Sequence, residues 1–247
     1  MLDSSSGLDS VLLEEVRKIP YNSSSFVTPI LDKESGLLFY IKRIRTNSHE
    51  FEVLAALDHP RLPHIKTLAE VDGVIHVLLP YKGERLDYIM NTPGFCEDPR
   101  FSILNLCNAF KDLGLALEYL HSVQVNRPKT VFSTQEKMYV AHGDVALRNI
   151  TAMFYSTNLF LSLIDLDRVI FLEDNTSDYC ISIQNQDWFN LAFEFVNIVL
   201  KRLYNNSEFW QSKLYWDLIK LKLLRSIPKE VFYSAIRDLE NSKYMKN

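Results

Sequence analysis

A short stretch of this chain places three oxygen-bearing side chains in an order that could do chemistry. Asp144 is followed five residues later by Asn149, and the apolar run Leu159–Ile164 then leads into Asp165 and Asp167. A carboxylate on a loop can orient or deprotonate a hydroxyl group. An Asn side-chain oxygen and a second carboxylate are hard ligands that suit Mg²⁺, and no Cys or His pair is interleaved to suit a softer ion. Together these groups are what metal-assisted phosphoryl transfer needs. Asp144 would act on the acceptor hydroxyl. Asn149 and Asp165 would hold Mg²⁺, with Asp167 as an additional candidate. Either acid alone reads as an ordinary turn residue after a strand. The order and spacing of the pair carry the reading.

Several elements must position these groups. Leu37–Ile44 is rich in aromatic and β-branched residues and reads as a strand. Residues 48–57 read as a helix with Ser48 as N-cap and Glu50 and Glu52 near its positive end. Ile65–Val71 and Val74–Leu79 flank Asp72-Gly73, a hairpin signal. Residues 101–121 place Ile103, Leu106, Phe110, Leu113, Leu117 and Leu120 at helical spacing, which predicts a core helix. Residues 123–138 read as a polar inserted loop. A second periodic helix is expected to start at Asp187, with Trp188, Leu191, Phe195, Ile198 and Val199 on one face. Two further helices are expected around Pro228.

His142-Gly143-Asp144-Val145-Ala146-Leu147-Arg148-Asn149 and Asp165-Leu166-Asp167 resemble the catalytic and metal loops of the protein-kinase superfamily, H-R-D-L-x-x-x-N and D-F-G. Gly143 stands where Arg is usual, and Leu166 and Asp167 depart from Phe and Gly. The H-G-D form, with a short segment after the metal loop, looks most like the branch of aminoglycoside and choline-type phosphotransferases, RIO kinases and the small kinase of the KEOPS complex. Asp144–Asn149 also resembles the D-L-A-A-R-N of tyrosine kinases. In that pattern the Arg148 guanidinium would neutralise γ-phosphate charge.

The resemblance covers most of residues 19–204 and implies further roles. Lys42 would match the lysine of V-A-I-K and reach the phosphates. Leu57-Asp58-His59-Pro60-Arg61-Leu62 resembles the L-x-H-P-x-I turn, and counting back from it makes Glu50 the partner of Lys42, with Glu52 as the fallback. Leu78–Glu84 resembles the hinge that reads adenine: Leu79 behind the base, the Pro80 carbonyl as acceptor and the Lys82 backbone as donor. The Gly-rich phosphate flap would fall on Tyr21–Val27, where Ser24 and Ser25 supply hydroxyls and no glycine is present. Asp187 is either the Asp that receives backbone N–H groups from the catalytic loop or a simple N-cap. Arg168–Gln186 holds Thr176, Ser177, Tyr179 and Ser182 but is too short for a peptide platform.

The expectation is therefore an α+β, two-lobed kinase-like fold forming one domain over residues 1–247. A small β-rich lobe and hinge would cover about 19–81, and a reduced, mostly helical lobe about 82–247. The resemblance implies an ATP- and Mg²⁺-dependent transfer of phosphoryl to a protein or small-molecule hydroxyl. The alternative is a pseudokinase that binds a partner without catalysis, which the missing glycines favour. Net charge of −4 argues against a general nucleic-acid binder. Three cysteines without C-x-x-C spacing fit a reducing, intracellular compartment, cytoplasmic or nuclear. No window is apolar enough to span a bilayer, and the start of the chain does not read as a secretory signal.

Overall fold

The computed structural model of the chain describes residues 12, 14–16, 27–33, 35–44, 49–127 and 135–246. Four antiparallel strands form the first lobe: β1 (Val27–Leu31), β2 (Leu38–Arg43), β3 (Thr67–Val71) and β4 (Val74–Pro80), in the order β1-β2-β4-β3. The β3–β4 turn is the expected one. Asp72 and Gly73 both have positive φ, 52° and 74°. That is the backbone of a tight hairpin turn, and its twist matches the strands. β2 alternates as a half-buried strand should. Phe39 and Ile41 join Leu12, Val16, Ile30, Ala69 and Leu78 in a small cluster on one face of the sheet. Tyr40 and Lys42 therefore point to the opposite face.

Helix α1 (Glu50–Leu54) follows. It is shorter than the sequence suggested, and Ser48 lies outside the described residues. His49 precedes it without a side-chain cap. What holds it is burial: Val53 and Leu54 are almost wholly covered.

The second lobe is mostly helical. A two-residue strand β5 (Glu84–Arg85) and the short α2 (Leu86–Met90) lead to α3 (Ile103–Ser122). The Ser102 side chain caps α3 by accepting from the Asn105 N–H. Its apolar positions form the predicted stripe. Leu113 and Leu117 are fully buried, so truncating either to Ala should cost about 2–5 kcal/mol. Two small sheets then carry the chemistry-bearing loops. One has the order β10-β7-β6 and the other β5-β8-β9. Their strands are β6 (Gln124–Asn126), β7 (Lys137–Ala141), β8 (Ile150–Tyr155), β9 (Asn158–Leu163) and β10 (Ile170–Leu172). The expected polar loop at 123–138 is thus in part a strand pair, Gln124 facing Tyr139, and residues 128–134 lie outside the described residues.

Helix α4 (Asp178–Arg202) starts nine residues before the expected Asp187. Ser177 caps it by accepting from the Cys180 N–H. Then come α5 (Ser207–Trp210), α6 (Lys213–Lys222) and α7 (Lys229–Glu240), with Pro228 at the N-cap of α7. Among the described residues no helix is long and apolar enough to cross a membrane.

Candidate active site

The turn of β2 away from its outer cluster brings Lys42 against α1. Its Nζ donates to Glu50 Oε1 and to Asp165 Oδ1, each at 2.6 Å. Glu50 is 2% exposed. Its Oε1 also accepts from the Leu166 N–H at 3.2 Å. Of the two candidate partners on α1, Glu50 is the one that meets Lys42. Asp165 sits in the left-handed region, φ 65°, an uncommon conformation that Asp, like Asn, adopts more readily than most residues. Burial works against the Lys42 ammonium. Glu50 and Asp165 together outweigh it and hold its pKa above the ordinary lysine value. Burial pushes the Glu50 carboxyl up, beyond what Lys42 and the Leu166 N–H take back.

The loop between β7 and β8 is pinned from below by Asp187. Inside α4 and only 1% exposed, this carboxylate accepts from the His142 N–H at 2.7 Å and the Gly143 N–H at 3.0 Å. It also pairs with His121 Nε2 at 3.0 Å. Asp187 is therefore no N-cap. It lies within the helix, because the helix starts earlier. His142 is wholly buried. Its Nδ1 accepts from the Asp144 N–H at 3.3 Å, so its Nε2 is the nitrogen that donates to the Ile164 carbonyl at 3.2 Å. Both bonds fit the neutral ring. Burial holds its pKa below the ordinary histidine value.

Asp144 and Asn149 are locked together. Asn149 Nδ2 donates to the Asp144 carbonyl at 2.9 Å and to Asp144 Oδ2 at 3.0 Å. With its amide hydrogens turned that way, Asn149 Oδ1 is the atom left for a ligand. Arg148 donates to Asp144 Oδ1 at 2.5 Å. Arg168 Nε lies 3.9 Å from Oδ2. The main chain just after β9 closes the loop, as Ile164 N–H donates to the Asn149 carbonyl at 2.8 Å. That bond sets Asp165 beside Asn149.

Lys42, Glu50, Asp165, Asp144, Arg148, Asn149 and Arg168 open onto one cavity of about 890 Å³, whereas His142 and Asp187 are buried and do not line it. Lys42, Glu50, Leu79, Pro80, Lys82, Asp144, Arg148, Asn149, Asp165 and Asp167 line it, so ten of the residues singled out from sequence meet in one place. Ser24 and Ser25 lie outside the described residues. The Lys82 ammonium turns away and donates to the Pro60 carbonyl, while its own carbonyl accepts from Thr151 Oγ1. Sequence reasoning missed Tyr40, Arg43, Arg85, Tyr88 and Arg168, which line the same cavity. Strand alternation from Lys42 would have found Tyr40. Arg168 follows three residues after Asp165 but belongs to no motif. Among the described residues no group of three or more His, Cys, Asp and Glu converges as a metal cage would.

No protein-family model matches the chain, and no curated protein matches it. Solved structures do. One described as the crystal structure of Rad53 kinase domain and SCD2 superposes with a TM-score of 0.54 over 90% of this chain and 84% of that one, at 15% identity. The fold is protein-kinase-like. The chain has the two lobes of that fold, a β-rich first and a mostly helical second one. At this identity the likeness reaches the kinase-like fold and stops there, without singling out the branch with the H-G-D form.

Proposed function

We propose that this chain is an ATP-dependent phosphotransferase of the protein-kinase-like superfamily. It would move the γ-phosphoryl group to a hydroxyl on a protein or small molecule. The observation that carries the reading is the Lys42 ammonium, held between Glu50 and Asp165 in the same cavity as Asp144 and Asn149. A bare structural ion pair has no need of the second pair of groups. In the transfer, the acceptor oxygen bonds to the γ-phosphorus as the bond from that phosphorus to the β–γ bridging oxygen breaks. ADP leaves, and the hydroxyl proton passes to Asp144 or to water. Asp144 orients the hydroxyl. Lys42, placed by Glu50, holds the phosphates. Arg148 is close enough to Asp144 to meet charge developing on the transferred group.

The residues fit Mg²⁺ that arrives with a polyphosphate. Asn149 Oδ1 and the Asp165 carboxylate are hard oxygen donors, and Asp167 is a further candidate. Two or three protein oxygens with the rest of the shell from phosphate and water is the usual way this ion is held. The ion would supply charge neutralisation on the phosphates. The short stretch between Asp165 and α4, together with Gly143 before the acid, favours the H-G-D branch within the superfamily.

One observation favours the second reading, a pseudokinase scaffold. Tyr40 packs 5.5 Å from Tyr81 and faces Leu79 across the sheet, so a large ring narrows the slot where a nucleobase would lie. Thermal shift decides between the two. Saturating ATP with Mg²⁺ should stabilise the fold by mass action, and Asp165→Asn should remove the Mg²⁺-dependent part. Asp144→Asn should then cut turnover by about a hundred-fold or more while nucleotide binding persists. Absence of any shift in the unmutated chain would leave the scaffold reading.

A further inference from the structure

Asp144 carries one negative charge and faces two guanidiniums. Arg148 holds its Oδ1 at 2.5 Å, and Arg168 stands 3.9 Å from its Oδ2. Both arginine side chains are more than half exposed, 51% and 68%, at the open side of the cavity. Asn149 occupies Oδ2 as well. A neutral alcohol approaching Asp144 therefore meets a carboxylate whose oxygens are already engaged, and it offers the displaced guanidinium nothing in return. An acceptor that also carries a phosphate or carboxylate does. A guanidinium prefers a bidentate pairing with such an anion. Arg148 can then swing from Asp144 to the acceptor, freeing Oδ1 for the hydroxyl.

The fold also limits the acceptor's size. Arg168 is followed at once by β10, whose Ile170 pairs with Ala141, and α4 begins at Asp178. Nine residues, 169–177, lie between Arg168 and α4, and three of them are β10, a short span from which to build a shelf for an extended peptide. Resting on the phosphotransferase reading, we infer that the acceptor is a compact molecule bearing an anionic group next to its hydroxyl, gripped by Arg148 and Arg168.

The test uses the full chain without nucleotide. Glycerol 3-phosphate and glycerate are titrated by calorimetry against glycerol, to separate a phosphate from a carboxylate preference and both from a neutral polyol. An anion should bind and glycerol should not. The Arg148→Gln/Arg168→Gln variant, checked for an unchanged circular dichroism spectrum, should weaken anion binding by at least about ten-fold. The double variant Lys42→Met/Glu50→Gln, which strands no buried charge and is held to the same spectral check, should keep anion binding. If it folds and loses the anion as fully as the arginine variant, the anion is sitting where the nucleotide phosphates would, and the proposal falls. It falls too if glycerol binds as well as the anions, if neither anion binds, or if an acidic hexapeptide binds more tightly through the same arginines. Nucleotide binding is scored separately. Anion capture without any response to ATP and Mg²⁺ would end the phosphotransferase reading and leave an anion-binding cleft.

Discussion

Gly143 lies directly against the main chain of Arg168. A Cβ on Gly143 would stand 2.5 Å from the Arg168 carbonyl oxygen, and Gly143 has φ 76°. Two constraints, a left-handed backbone and no room for a side chain, therefore coincide at the residue before Asp144. The contact follows from the pairing of β10 with β7, which brings the chain after Asp165 back over the loop that carries Asp144.

Gly143→Ala should destabilise the fold by about 2 kcal/mol or more, since the strained backbone alone costs on the order of 1–3 kcal/mol. Gly143→Arg, which restores the residue usual in protein kinases, should be worse. Urea denaturation measures both. A loss under about 0.5 kcal/mol, the range of an indifferent surface change, would show that the loop can move aside.

Asp187→Asn should cost about 2–3 kcal/mol. Both carboxylate oxygens accept hydrogen bonds, one from Gly143 and the other from His142 and His121. Either orientation of an amide turns its NH₂ toward an N–H. Chemical denaturation would register the loss, and an unchanged midpoint would mean that the anchor is dispensable.

Lys42→Met should be more harmful than Asp165→Asn. Removing Lys42 strands Glu50, which is 2% exposed, at a cost of about 3 kcal/mol or more near neutral pH. Removing Asp165 leaves Lys42 still paired with Glu50, and the Asp165 side chain is 40% exposed, so about 1 kcal/mol or less is expected. The penalty of Lys42→Met should shrink on acidification. The Glu50 pKa is already raised by burial above its ordinary 4.5. A raised pKa means the folded state takes up the proton first, so stability is regained as pH falls through the folded value toward 4.5. Equal penalties for the two variants at all pH values would contradict this.

The chain should lose stability as pH falls below 6.5. Burial lowers the pKa of His142 from that ordinary value. The unfolded chain then binds a proton that the folded chain refuses, so the contribution is whole above 6.5 and is lost as pH falls through the folded value. His59, His64 and His76 are shifted the same way by partial burial and add to the slope. Imidazole NMR should show His142 titrating below 6.5 in the folded protein. A His142 resonance titrating at or above 6.5 would refute the burial account.

Much of the fold was legible because its signals are local. The Asp72-Gly73 turn, the stripe along α3 and the alternation of β2 are each set by a handful of neighbouring residues. The Lys42–Glu50 pair was legible only by counting back from His59-Pro60, since nothing local distinguishes Glu50 from Glu52. The start of α4 was hidden for a physical reason. Of its first nine residues only Cys180 is buried, so no apolar stripe marks the helix before Asp187. The pairing of β6 with β7 was hidden as well. A three-residue strand shows too little alternation to read, and its partner lies beyond the intervening residues. Arg168 was missed because its place beside Asp144 depends on β10 folding back onto β7, a contact between segments far apart in sequence.

The ammonium between Glu50 and Asp165 also decides how a cation would reach this cleft. Lys42 already holds Asp165 Oδ1, so a bare divalent ion that takes that oxygen evicts a charge of its own sign, which is then left facing Glu50 alone. An ion that arrives chelated by polyphosphate brings anionic oxygens to which Lys42 can transfer its allegiance. On the proposed function, the resting cleft is thus its own counter-ion. It would ignore free Mg²⁺ and admit the metal and the nucleotide as one complex, in a single exchange of partners.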